Sequence, residues 1–160
     1  METLCSGFLK VRGTRENIIN FCFNGLKVPK ENISNKKIED LVELVGEYDE
    51  YFRVKEKCYI NGTTNGFIEP CETCLGKKDD YDDVDPIIIS LDASFDWNVD
   101  KEELRKISEE CRVDINFHGF QDVELFEVIV EIINGVIIDY RTIDYFTYND
   151  WKWKCINAVC

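Results

Sequence analysis

Histidine occurs once in the 160 residues, at His118, and no run of 18 consecutive apolar residues exists. The first scarcity means that any Ser-His-Asp or Cys-His arrangement has to use His118. The second leaves no segment able to cross a bilayer as a helix. Neither GxxxxGK[ST] nor GxGxxG occurs, which argues against nucleotide hydrolysis. Clustered lysine and arginine, needed to wrap a phosphate backbone, are missing too, so no direct nucleic-acid contact is expected. The opening METLCSGFLKVRG has no charged head followed by an apolar stretch, so no secretory leader is expected. The eight cysteines lack a framework spacing, and together these features predict a cytoplasmic chain with thiols rather than disulfides. Carboxylates are too abundant to single out an acid–base couple, and the expectation is a protein that is not an enzyme.

Acid is abundant and unevenly placed. Net charge is −13. Residues 1–37 carry +4, residues 38–100 carry −12 and residues 101–160 carry −5. No basic residue interrupts Glu39 to Glu50, and Asp79-Asp80-Tyr81-Asp82-Asp83-Val84-Asp85 places five carboxylates in seven residues. Such a distribution suits either solvation or a basic partner.

With 44% apolar residues the chain can bury one core, so a single domain over 1–160 is expected, with an acidic insertion at about 70–86. TLCSGFLKVR (3–12) reads as a strand, followed by a helix capped by Thr14 and stopped near Gly25, with Ile18, Phe21 and Cys22 on one face. Ile38, Leu41, Val42 and Val45 predict a second helix from about Lys36 to Val45, capped by Ser34. YFRVKEKCYI (51–60) alternates as one half-buried strand with Glu56 out of phase, and Asn61-Gly62 turns into a short strand over 66–69. IIISLDASF (87–95) reads as a central strand, and a helix capped by Asn98 follows, with Leu104, Ile107 and Cys111 inward. RVDINF (112–117) alternates with Val113, Ile115 and Phe117 inward, which leaves His118 exposed or at a strand end. VELFEVIVEII and VIIDYRTI flank Asn134-Gly135 as a hairpin. The order predicts an α+β fold, with helices on one face of an antiparallel sheet.

LCSGFLKVRGTRENIINF (4–21) and LDASFDWNVDKEELRKISEECRVDINFHGFQDVELFEVIVEIINGVIID (91–139) resemble the two anchored parts of the YubB ferredoxin-like family. The resemblance implies a ferredoxin-like split βαβ core with an extra C-terminal hairpin, and an origin in phages, plasmids or other mobile elements. It implies no catalytic residues.

Two motifs remain. Cys71-Glu-Thr-Cys74 has the spacing of half a zinc site, whose further ligands would come from Cys58, Cys155, Cys160 or His118; otherwise no cofactor is expected. A redox role would need positive charge beside the thiols; Lys77 and Lys78 supply some, and the following aspartates oppose it. The acid block lacks the glycine and final glutamate of an EF-hand. Asp79, Asp80, Tyr81, Asp82, Asp83 and Asp85, with Glu39, Glu43 and Glu47, are therefore read as a partner-binding surface that imitates phosphates around an anchoring tyrosine. The expected partner is the basic nucleic-acid channel of a host complex, a CRISPR effector being the most concrete case, and the chain would act as an inhibitor. The rival reading is a structural or regulatory module whose acid only solvates. Trp97 is expected to pack over the core edge, and Trp151 and Trp153 either to dock on the sheet or to form a patch.

Overall fold

Alternation of apolar and polar residues makes the long strands. Cys5, Leu9 and Val11 are buried while Ser6, Phe8, Lys10 and Arg12 face out, so β1 (Leu4–Gly13) has one wet and one dry side. The computed structural model describes residues 3–30, 35–76 and 85–144.

Helix α1 (Arg15–Asn24) follows β1. Thr14 accepts a hydrogen bond from the Asn17 N–H, and the N–H of Gly25 closes on Phe21, as the sequence predicts. The chain continues through β2 (Leu26–Lys27), α2 (Ile38–Leu41), β3 (Val42–Val45), β4 (Tyr51–Val54), β5 (Cys58–Ile60), β6 (Gly66–Ile68) and β7 (Cys71–Cys74). It then forms β8 (Ile87–Asp96), α3 (Lys101–Cys111), β9 (Asp114–Gln121), β10 (Phe126–Ile133) and β11 (Val136–Asp144).

Among the described residues two sheets form. The larger has the antiparallel order β11-β10-β9-β1-β8-β6-β5-β2, and the smaller is β3-β4-β7. Helices α1 and α3 lie against each other on the large sheet and bury Ile18, Phe21, Leu104 and Ile107 over Leu9, Leu91, Ile115 and Phe117. The fold is thus α+β with a mostly antiparallel sheet. Strands β1 and β9 run very close at the facing pair Gly7 and Gly119, where a Cβ on residue 7 would sit 1.9 Å from the His118 carbonyl oxygen. No helix among the described residues is long and apolar enough to cross a membrane.

Several expectations are corrected. The helix over 36–45 stops at Leu41, because Val42, Leu44 and Val45 pair with β4 and gain more as a strand edge than as a helix face. Lys37 occupies its cap position, and Ser34 lies outside the described residues. The single strand over 51–60 is two strands in different sheets. The chain crosses between them at 55–57, where the N–H of Lys55 bonds the Leu41 carbonyl at 2.7 Å. Residues 71–74 are strand rather than loop. The cap of α3 is Asp100, which accepts from the N–H groups of Glu102 and Glu103, and not Asn98. Cys111 is only half-buried, and Ser108 takes the inward position instead. Trp97 is 67% exposed rather than packed over the core. Trp151 and Trp153 lie outside the described residues.

Candidate functional site

The small sheet carries much of the acid of the middle segment, and its register decides which carboxylates remain uncompensated. Glu43, Arg53 and Glu72 stand opposite one another on β3, β4 and β7. Arg53 reaches Glu72 at 2.9 Å and Glu43 at 3.4 Å, and Lys55 lies 3.7 Å from Glu43. Glu43, read from the sequence as part of a partner-binding surface, therefore meets the chain's own cations. Exposed pairs of this kind add little to stability, roughly 0–1 kcal/mol each, but they remove net charge locally.

Past β3 the picture changes. Gly46, at φ +102°, and Asp49, at φ +52°, bend the chain through a tight turn in which Tyr48 donates its backbone N–H to the Glu50 carboxylate at 2.8 Å. Glu47, Tyr48 and Asp49 are all exposed, and Tyr51 begins β4 beside them, also exposed. The turn is tied to the end of β7. Arg15 donates to the Asp49 carbonyl and to the Gly76 carbonyl, each at 3.0 Å, and the Leu75 N–H bonds the Glu50 carbonyl at 2.7 Å. The chain following Gly76, which holds the aspartate block, therefore departs from beside the Glu47–Glu50 turn. Asp79, Asp80, Tyr81, Asp82 and Asp83 themselves lie outside the described residues. Asp85 is exposed just before β8, and Glu39 is exposed on α2.

The arginine link joins segments far apart in sequence, and no local motif announced it. Tyr48 had a signal: it is an aromatic inside the uninterrupted acid of Glu39–Glu50.

The thiols form no comparable site. Cys71 and Cys74 are three positions apart on a strand, so they face opposite sides; Cys71 is half-buried and Cys74 is exposed. A metal knuckle needs both sulfurs on one side of a turn. Among the described residues no three His, Cys, Asp or Glu side chains gather to hold a metal ion. Burial pushes the Cys5 thiol up to about 11 and the Cys58 thiol up to about 12, the latter helped by Cys71 and Glu56 nearby. Cys22 is pushed higher still, by burial and then by Cys71, and burial also raises Cys71. These are packing groups rather than nucleophiles, since reactivity needs the thiolate.

His118 is 56% exposed on the open face of the sheet, pairs with Glu127 and stands opposite Phe8 on β1. Its cross-strand neighbours are Phe8 and Ile129. Compared with family models, curated proteins and solved structures, the chain matches none.

Proposed function

We propose that the chain is a non-enzymatic binding protein whose acidic end engages a cationic surface on a nucleic-acid-processing complex. The supporting observation is the link made by Arg15, which puts the exposed Glu47–Tyr48–Asp49 turn beside the departure point of the aspartate block. The Glu47–Glu50 turn and Gly76, the last described residue before the aspartate block, are thereby held together. Carboxylates spaced around exposed tyrosines offer a lysine- or arginine-lined groove the charge it normally receives from phosphates. Nucleic acid would be kept out by competition. A CRISPR effector in the cytoplasm of a bacterial host is the partner that fits most directly, because such proteins hold a heteroduplex in a positive channel and read a short duplex motif with arginines.

The resemblance to the YubB ferredoxin-like family supports the same reading through its mobile-element origin. The strand order β9-β1-β8-β6, with helices after β1 and β8, is compatible with a ferredoxin-like split βαβ core. The small sheet would then be built from segments on both sides of the second core strand, β3 and β4 before β6 and β7 after it.

The Glu43–Arg53–Glu72 ladder favours the second reading for its own residues, namely solvation and sheet pairing with no partner. The proposal is accordingly carried by Glu47, Asp49, Asp79, Asp80, Tyr81, Asp82, Asp83 and Asp85, with Glu39 at the margin.

The test is inhibition of purified RNA-guided nuclease cleavage by the wild-type protein, repeated over a salt series. Inhibition should weaken steeply with salt. A variant with Asp79, Asp80, Asp82 and Asp83 changed to lysine should lose it. Full inhibition by that variant defeats the proposal, as does failure of the wild type both to inhibit and to capture any cationic nucleic-acid-binding protein from bacterial lysate.

A further inference from the structure

The opposite end of β8 carries a different kind of surface. Asp96, Trp97 and Asn98 make a three-residue turn: the N–H of Asn98 bonds the Asp96 carbonyl at 2.9 Å across Trp97, whose φ is +68°. Turns of this hand are rare and strained, and a bulky side chain at their centre is an outlier. The surrounding structure enforces it. Trp97 donates its N–H to the Thr3 carbonyl at 2.9 Å, and the Asn65 amide donates to both the Asp96 and Asn98 carbonyls. A tryptophan is thus held in an unfavourable backbone while its ring stays mostly in water. Packing among the described residues does not account for that combination.

A second turn repeats the pattern at the same end of the sheet. Leu125 has φ +56° and is 39% exposed, Val123 is 45% exposed, and the buried Gln121 side chain pins the turn by accepting the Glu124 N–H. Strand β1 lies between the two turns, since Leu4 faces Asp96 and Ser6 faces Phe120. Adjacent strands are about 4.8 Å apart, so Trp97 and the 122–125 turn are roughly 10 Å from each other. A groove of about 320 Å3 opens on the β11 side of the second turn, lined by Val123, Glu124, Leu125, Phe126 and Asp144. Residues 3–9, 85–100 and 113–140 hold no lysine or arginine, while Asp96, Asp122 and Glu124 lie in or next to the two turns.

We infer that this rim is a docking site for a cationic amphipathic segment of a partner protein. Apolar side chains of that segment enter the groove and lie against the Trp97 indole, and its arginines or lysines meet the rim carboxylates. Cations also gain from the indole face. The inference is independent of the acidic turn at the far end of β8.

The test uses a fluorescein-labelled peptide of alternating leucine and arginine, with a leucine–glutamate peptide as control, and 15N-labelled full-length protein. The arginine peptide should bind saturably, more weakly as salt rises, and should shift the Trp97 indole resonance and the amides of 122–126. Trp97→Gly and Leu125→Asn suit a left-handed backbone, so each should keep the wild-type circular dichroism and weaken binding about tenfold or more. Glu47→Lys should leave the shifts at Trp97 and 122–126 unchanged. The inference is overturned if the arginine peptide does not bind, if the glutamate peptide binds equally, or if the shifts map to the 46–50 turn alone. It is also overturned if both variants bind as wild type, or if binding appears only in a chain ended at Asp144, which would make residues 145–160 the occupant.

Discussion

A thiol taken out of water resists losing its proton, and three of the thiols among the described residues are buried. Cys5, Cys22 and Cys58 all have pKa values raised above the ordinary 9.0, chiefly by burial. In the unfolded chain they would ionise near pH 9; in the folded chain Cys5 waits until about 11 and Cys58 until about 12. The stability tied to that difference is fully present below pH 9 and is lost as the pH climbs through the folded values. Each such thiol steepens the decline by about 1.4 kcal/mol per pH unit in that window. Urea midpoints for wild type and Cys58→Ala should therefore differ most below pH 9 and converge above it; a gap independent of pH would contradict the assignment. Burial of Cys22 was legible from its place on the apolar face of a patterned helix. The spacing of Cys71 and Cys74 fits a metal knuckle and equally fits two thiols on opposite sides of a strand, and β7 places them in the second way.

Elements built from local signals were readable, and those chosen by distant partners were not. Thr14 and Gly25 bound α1 through bonds made within a few residues. At the start of α3 the sequence reading puts the cap at Asn98, and the structure puts it at Asp100. The choice follows from the turn at Trp97, which engages the Asn98 backbone and passes the cap to Asp100. Asp100→Ala should cost about 1 kcal/mol in a thermal or urea melt, and Asn98→Ala much less. Equal losses would mean that both residues act as caps. Residues 42–45 failed for a related reason: helical spacing of Val42 and Val45 is compatible with a strand, and pairing with Tyr51–Val54 decides. Likewise the alternation over 51–60 persists through a change of sheet, which a period of two cannot register.

For the molecule as a whole, total charge was visible in the sequence and its distribution only in part. Glu43 and Glu72 meet Arg53, and Glu56 meets Lys36 at 3.0 Å, so part of the negative middle is answered internally. Glu47 and Asp49 stay exposed on the turn that Arg15 ties to the end of β7. Arg15→Met keeps the side chain's apolar stem and removes both bonds to carbonyls. The expected cost is about 1–2 kcal/mol, with faster amide exchange at Leu75 confined to the small sheet. Unchanged exchange there would show that the strands of that sheet hold the turn by themselves.

One consequence of β8 concerns reach. Ten residues at about 3.3 Å each separate its ends by roughly 30 Å, with Asp85 just before one end and Trp97 standing at the other. A ligand seated at either extremity leaves its counterpart unshielded, so saturation by two cationic bodies per chain is geometrically open, and a single body spanning both would have to be at least domain-sized.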